Sequence, residues 1–177
     1  NGIIHAIQKK LIITFNHNSF WSNEIKKRKC VPIAIKEAQS RWYLFAYDLL
    51  ENDFKTYGLE RMDDLTITPD FYRNYPPVNV EEYFRNAYGI VISEQITKIV
   101  LEFDNSQINY IQSLPFHHSQ KIVKEDKKFF KVELLMHPTY DLRMEILKYG
   151  ALCEVKEPID LRNQIKGIAT GMVKKYK

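Results

Sequence analysis

The side chains best suited to chemistry in this chain are cations interleaved with aromatics on short apolar runs. On an extended strand Arg41, Tyr43, Phe45 and Tyr47 fall on one face and Trp42, Leu44 and Ala46 on the other, because successive strand residues point oppositely. The Trp42 face is read as core. Further on, Lys55, Tyr57, Leu59 and Arg61 share a face unless a bend separates them. Guanidinium and ammonium groups are fixed donors for an anion, and a tyrosine ring gives a base a flat surface to stack on. Arg61, Tyr43, Tyr57, Arg41, Lys55 and Lys29 are therefore the candidate ligand-binding residues, with His17 at the pocket edge. A plainer alternative stands beside each: strand aromatics mostly fill cores, and Arg61 has Glu60 and Asp63 as ready ion-pair partners. The densest basic run, Lys26-Lys27-Arg28-Lys29, reads first as a solvated face and second as a phosphate-steering rim whose pull falls with salt.

Other chemistry finds little to stand on. His117 and His118 are adjacent, so on an extended chain they point apart, and no neighbouring pattern completes a metal site. Asp63-Asp64 reads as a turn, and Ser119 and Gln120 as partners for backbone groups. There is no glycine-rich phosphate loop and no nucleophile in a recognisable setting, so neither an enzyme nor a cofactor is expected. Cys30 and Cys153 lie far apart and read as free thiols of a reducing cytosol. A net charge of +4 permits an anionic partner without requiring one. No apolar run has membrane-spanning length and no signal-peptide pattern is seen, which predicts a soluble cytoplasmic protein without a membrane partner. The opening at Asn1, straight into Ile3, Ile4 and Ile7, reads as a cut inside a longer protein, and N-terminal processing would look the same.

These residues need elements to hold them. Periodicity predicts a helix over 2–9, facing inward through Ile3, Ile4 and Ile7, a strand over 10–16, and a loop over 17–25. Extended runs at 28–35, 41–48 and 54–60, with a possible fourth at 64–68, argue for a small barrel or a sandwich. Pro69, Pro76 and Pro77 mark a linker leading into a helix over 80–88 that Gly89 stops. Tyr72, Tyr75, Tyr83 and Tyr88 are read as packing that stretch. Beyond it come a strand at 97–103, a helix at 106–114 with Ile108, Ile111 and Leu114 inward, strands at 119–124 and 128–136, a helix at 139–149 and a strand at 151–156. That β-α-β-β-α-β order is the split βαβ arrangement. Leu161, Ile165, Ile168 and Met172 predict a closing helix over 159–175, long enough to help a second subunit dock. The chain thus divides into 1–68, a linker with its helix at 69–92, and 93–177.

Three blocks in order carry a resemblance: Arg28-Lys29-Cys30-Val31-Pro32, Arg41-Trp42-Tyr43-Leu44-Phe45-Ala46-Tyr47-Asp48, and Lys55-Thr56-Tyr57-Gly58-Leu59-Glu60-Arg61-Met62. Together they resemble the WYL domain of bacterial transcriptional regulators. His118-Ser119-Gln120, Tyr149-Gly150, Glu154-Val155-Lys156-Glu157-Pro158 and Leu161-Arg162 resemble the C-terminal extension usually attached to it. The resemblance implies an α+β chain: an Sm-like, SH3-type small β-barrel followed by a ferredoxin-like βαββαβ domain. It also implies an anionic effector, a nucleotide or single-stranded nucleic acid, held by the barrel of a homodimer. Duplex DNA would be met only through a winged helix-turn-helix that this chain lacks. Gly58 and Lys55 depart from the family, which has arginine at both places, and that puts the ligand class in question. A nucleic-acid-binding accessory protein of a defence or repair system and a ligand-free dimerisation unit are the competing readings.

Overall fold

The computed structural model describes residues 2–20, 22–93 and 95–176. The chain is α+β and falls into two compact units, Asn1–Val80 and Glu81–Lys177, each built on one antiparallel sheet.

In the first unit a short helix, α1 (Gly2–Lys9), leads into β1 (Leu11–Ser19), β2 (Glu24–Ala38), β3 (Arg41–Asp48), β4 (Asp53–Gly58) and β5 (Met62–Phe71). Ala6 is the buried residue of α1, whereas Ile4 is exposed, a correction to the inward face expected of it. The loop expected at 17–25 is mostly strand. His17 and Asn18 pair with Lys26 and Ile25, and Asn23 takes the positive φ that turns the chain back. Trp21 lies outside the described residues.

The five strands order as β4-β3-β2-β1-β5. The expected barrel is not closed by hydrogen bonds: among the described residues no ladder joins β4 to β5. A 3-10 turn, Leu59–Arg61, stands between them and lays Leu59 on the core. β2, fifteen residues long, shifts register between Pro32 and Ala34, where proline has no N–H to donate. Pro69 lies in β5, which among the described residues is an edge strand paired with β1 and irregular between Leu11 and Ile13.

Both faces of this sheet are covered. Ile13, Phe15, Cys30, Leu44, Ala46 and Tyr57 form one buried cluster with Ala6, and Ile12, Val31 and Tyr47 form another with Tyr72 and Tyr75 against it. The face of Leu44 and Ala46 is core as expected, but Trp42 at its end is 53% exposed. Phe45, on the opposite face, is also buried. Each such aromatic or aliphatic side chain removed from water contributes about 1.5–3 kcal/mol.

The second unit contains α2 (Val80–Phe84), β6 (Thr97–Asp104), α3 (Ile108–Ser113), β7 (Lys121–Glu125), β8 (Phe129–Met136), α4 (Tyr140–Lys148), β9 (Cys153–Glu157) and α5 (Ile159–Lys175). The strands order as β7-β8-β6-β9. Ile99, Leu101 and Phe103 alternate inward as read, meeting Ile111, Leu142 and Ile146 from the helices. A 3-10 turn, Asn105–Gln107, precedes α3 and is capped by Asp104, whose carboxylate accepts from Ser106 N at 2.9 Å. Leu114 is 80% exposed, because α3 ends at Ser113 and the chain has left the helical face. Gly150, at φ +53°, takes the left-handed position just after α4. Leu161 is buried and Ile165 packs on the core, but Ile168 and Met172 are exposed. A shallow apolar groove of about 580 Å³ runs beside the end of α5, lined in part by Leu147, Ala151, Ala169 and Met172. No helix among the described residues is long and apolar enough to cross a membrane.

Candidate anion site

The site grows from the open end of the Tyr57 core. Ile13, Phe15 and His17 alternate down one face of β1, so the face that begins as hydrocarbon ends in an imidazole. On β2 the same logic puts Arg28 in line with buried Cys30. The 3-10 turn after β4 brings Arg61 to the same place from a third direction. Tyr57 sits among them. Its ring lies 5.0 Å from His17 and 5.2 Å from Phe15, both edge-on, with the Arg28 guanidinium 5.8 Å from its centre.

Beneath the cations is a fully buried carboxylate. Asp48 accepts the Tyr57 hydroxyl at 2.5 Å and Arg28 Nη1 at 3.2 Å, and its other oxygen accepts the backbone N–H of Leu50 at 2.8 Å. Arg28 also pairs with Glu51, which Lys55 reaches at 3.2 Å. The bonds from Arg28 and Lys55 hold the Glu51 carboxyl below its ordinary range. Burial, then Cys30, then the bond to Asp48 hold the Tyr57 hydroxyl well above the ordinary phenol range. It stays a donor.

The outer part of the cluster is less well satisfied. His17 Nε2, Arg28 Nε and Arg61 Nε are buried and have no hydrogen-bond partner. Arg61 lies 3.7 Å from Glu60, too long for a hydrogen bond, and its guanidinium stacks 5.1 Å from the ring centre of Phe20. Burial, then the charges of Arg61 and Arg28, push the His17 pKa below 6.5, leaving a neutral imidazole between two guanidiniums. Such a cluster has the chemistry to hold a small anion: two fixed positive charges, partly desolvated donors, and an aromatic rim.

Of the residues singled out from sequence, the structure brings His17, Tyr57 and Arg61 together, with Lys55 one ion pair away. Tyr57 is only 4% exposed, so its ring offers no stacking face to solvent and its place is beneath the cations. Lys55 is occupied by Glu51 and Asp53. Arg41 bonds Glu60 at 3.3 Å and lines a separate hollow of about 360 Å³ with Trp42 and Leu59. Tyr43 pairs in register with Lys36 and Gly58, on the strand face of Phe45 and Tyr47 rather than that of Leu44. Lys29, one residue from Cys30, points to the opposite face of β2 from Arg28. Phe20 was missed, and Arg28 was named only as one of the basic run Lys26-Lys27-Arg28-Lys29. Strand alternation counted back from the apolar Cys30 would have separated Arg28 from Lys29; nothing local marked Phe20.

A polar cluster around His117, in the second unit, is self-contained. His117 bonds the Arg85 carbonyl at 2.6 Å and Ser119 Oγ at 2.7 Å, and Ser119 in turn takes the Leu135 N–H at 2.9 Å. Gln120 accepts from Phe116 N and donates to the Ile111 carbonyl, the backbone role expected of it. Among the described residues no group of three or more His, Cys, Asp or Glu is arranged to hold a metal.

Comparison with known proteins matches residues 1–67 to the WYL domain and residues 95–173 to the WCX domain. The chain is 27% identical over 172 residues to the uncharacterized HTH-type transcriptional regulator YobV of Bacillus subtilis (strain 168), covering 97% of this chain and 53% of that protein. It therefore spans about half the length of this curated relative. Among solved structures, a CRISPR Cas-related protein superposes with a TM-score of 0.63 at 14% identity, covering 98% of this chain and 51% of that one. Proteasome accessory factor B/C of Arthrobacter aurescens gives 0.44 at 15% identity, covering 92% and 25%.

Proposed function

From a chain that carries a WYL domain followed by a WCX domain, similar to a transcriptional regulator, we propose the effector-sensing part of a bacterial transcriptional regulator. Its first unit takes an anionic effector, a nucleotide or a short single-stranded nucleic acid, at His17, Arg28 and Arg61. The observation that carries this reading is the set of buried, unpartnered nitrogens on those three side chains. Leaving a donor buried and unpaired costs about 1–3 kcal/mol, and an oxyanion arriving there recovers part of it. Phe20 gives the base a rim to stack on, and Tyr43, Arg41 and Lys55 lie further out on the same unit.

In this reading the bent five-stranded sheet is an Sm-like, SH3-type barrel closed by side chains rather than by a ladder. The second unit is ferredoxin-like, in keeping with its β7-β8-β6-β9 order. The regulator works as a homodimer, with the apolar end of α5 offering a surface for it, and meets duplex DNA through a winged helix-turn-helix outside this chain. The effector acts by binding one dimer state better than the other; equal affinity would switch nothing. The exposed Trp42 beside Arg41 favours a second reading, in which a longer single strand is held by a defence or repair accessory protein.

The test is binding of short fluorescent single-stranded DNA and RNA at two salt concentrations, with Arg61→Ala and Tyr43→Ala alongside. Removing one charge-assisted contact is expected to weaken binding about tenfold for Arg61→Ala, and less for Tyr43→Ala. Affinity should fall steeply with salt. Binding indifferent to Arg61→Ala would sink the pocket, and tight binding of a mononucleotide without preference for longer strands would remove the second reading.

A further inference from the structure

Gly58 and Glu60 give the site a feature that its cations alone do not. A Cβ built on Gly58 would lie 2.7 Å from Arg61 Nε, 2.9 Å from Arg61 Nη2 and 2.9 Å from Glu60 Oε2. The guanidinium and the carboxylate therefore converge on the bare backbone of this one residue. Gly58 itself is ordinary extended chain, at φ −64° and ψ 127°, so its lack of a side chain serves space and not conformation. From there Glu60 Oε1 reaches Arg41 Nη1 at 3.3 Å and stops 3.7 Å short of Arg61 Nε. It lends Arg61 a negative charge without making the hydrogen bond.

We infer that Glu60 is an internal competitor for the anion, a carboxylate lodged beside Arg61 and Arg41 that an incoming phosphate must displace. The inference rests on the anion-site reading above and adds what limits its affinity. Glu60 is tethered one residue from Arg61 and is partly exposed, so leaving costs little ordering and its new place is in water. A phosphate that enters can satisfy the Nε that Glu60 leaves bare. Its arrival also frees Arg41, so the displacing ligand meets two arginines, which suits a ligand with more than one phosphate. The competitor thereby sets a threshold: weakly held single anions do not repay its departure, and a phosphate chain does.

The experiment measures binding of a short fluorescent oligothymidylate to the wild-type chain, Glu60→Gln and Arg61→Ala, with inorganic phosphate as competing anion. Removing a partly exposed carboxylate from beside the site should tighten oligothymidylate binding roughly three- to fivefold. Inorganic phosphate should compete more effectively against Glu60→Gln than against wild type. Binding by Glu60→Gln where wild type shows none supports the inference equally. Unchanged or weaker binding by Glu60→Gln, with Arg61→Ala still weakening it, overturns the competitor and leaves the anion site standing. Binding that neither substitution alters, or that no variant shows, overturns both. Unfolding of Glu60→Gln in denaturant, at the wild-type midpoint, guards against a trivial loss of fold.

Discussion

Two histidine-centred clusters, around His17 in the first unit and His117 in the second, differ in how their hydrogen bonds close. Around His117 in the second unit both ring nitrogens and the Ser119 hydroxyl have protein partners at 2.6 to 2.9 Å. Around His17 in the first unit the inner layer is as well satisfied, through Asp48, but the outer layer leaves three nitrogens without partners. A buried histidine is therefore no pointer to function on its own. What separates a strut from a candidate binding site is where the donors remain unmet after the fold has used all it can.

The comparison breaks most visibly at Asp48. Asp48→Ala should destabilise the chain by about 3–5 kcal/mol in denaturant unfolding, because it leaves Arg28 and the Tyr57 hydroxyl facing a void. A loss under about 1 kcal/mol would mean that the inner layer is not the foundation described here. Next comes His117→Ala, which should cost about 2 kcal/mol by leaving the Arg85 carbonyl without its partner. It should leave oligonucleotide binding untouched; weakened binding by a folded His117→Ala would erase the distinction between the clusters.

Smaller effects sharpen it. Gly58→Ala should fold with a stability change under about 1 kcal/mol, since its backbone angles suit alanine and the atoms in the way are the mobile ends of Arg61 and Glu60. A large loss in thermal or denaturant unfolding would show those ends to be rigidly held. The smallest effect is in pH. Burial first, and then neighbouring charges, lower the pKa of both His17 and His117 from 6.5 in the folded chain. The unfolded chain then takes up protons first as pH falls through 6.5, so stability is full above that value and declines as pH drops toward the folded pKa values. An anion beside His17 favours its proton, so oligonucleotide affinity should rise as pH falls through the same region. Phosphodiesters do not titrate there. His17→Gln should flatten that rise, and a rise that persists in His17→Gln would assign it elsewhere.

Much of the fold was legible because its signals are local. Alternation marked β6 through Ile99, Leu101 and Phe103, Gly150 marked the end of α4, and Leu161 and Ile165 placed α5. The end of the β1–β2 hairpin reads as a loop from sequence because His17, Asn18 and Ser19, paired with Lys26, Ile25 and Glu24, bury little. Periodicity has nothing to detect there. The site was legible in part. Arg61 and His17 were named from residue type, but they meet only because a 3-10 turn and a strand end converge on Tyr57. Tyr57 shows the limit most clearly: its type suited stacking on a base, and its hydrogen bond to a buried carboxylate, nine residues away in sequence, turned it inward. Lys29 and Arg28 are equal as charges, and only the strand's facing tells them apart.

The two cysteines have a consequence for the reactivity of this chain. Burial pushes the thiols of Cys30 and Cys153 up to about 12. At neutral pH only on the order of one molecule in 10⁵ carries a thiolate at either position, and it is the thiolate that reacts with oxidants and disulfides. Both thiols are therefore poor nucleophiles toward peroxide and disulfides at neutral pH.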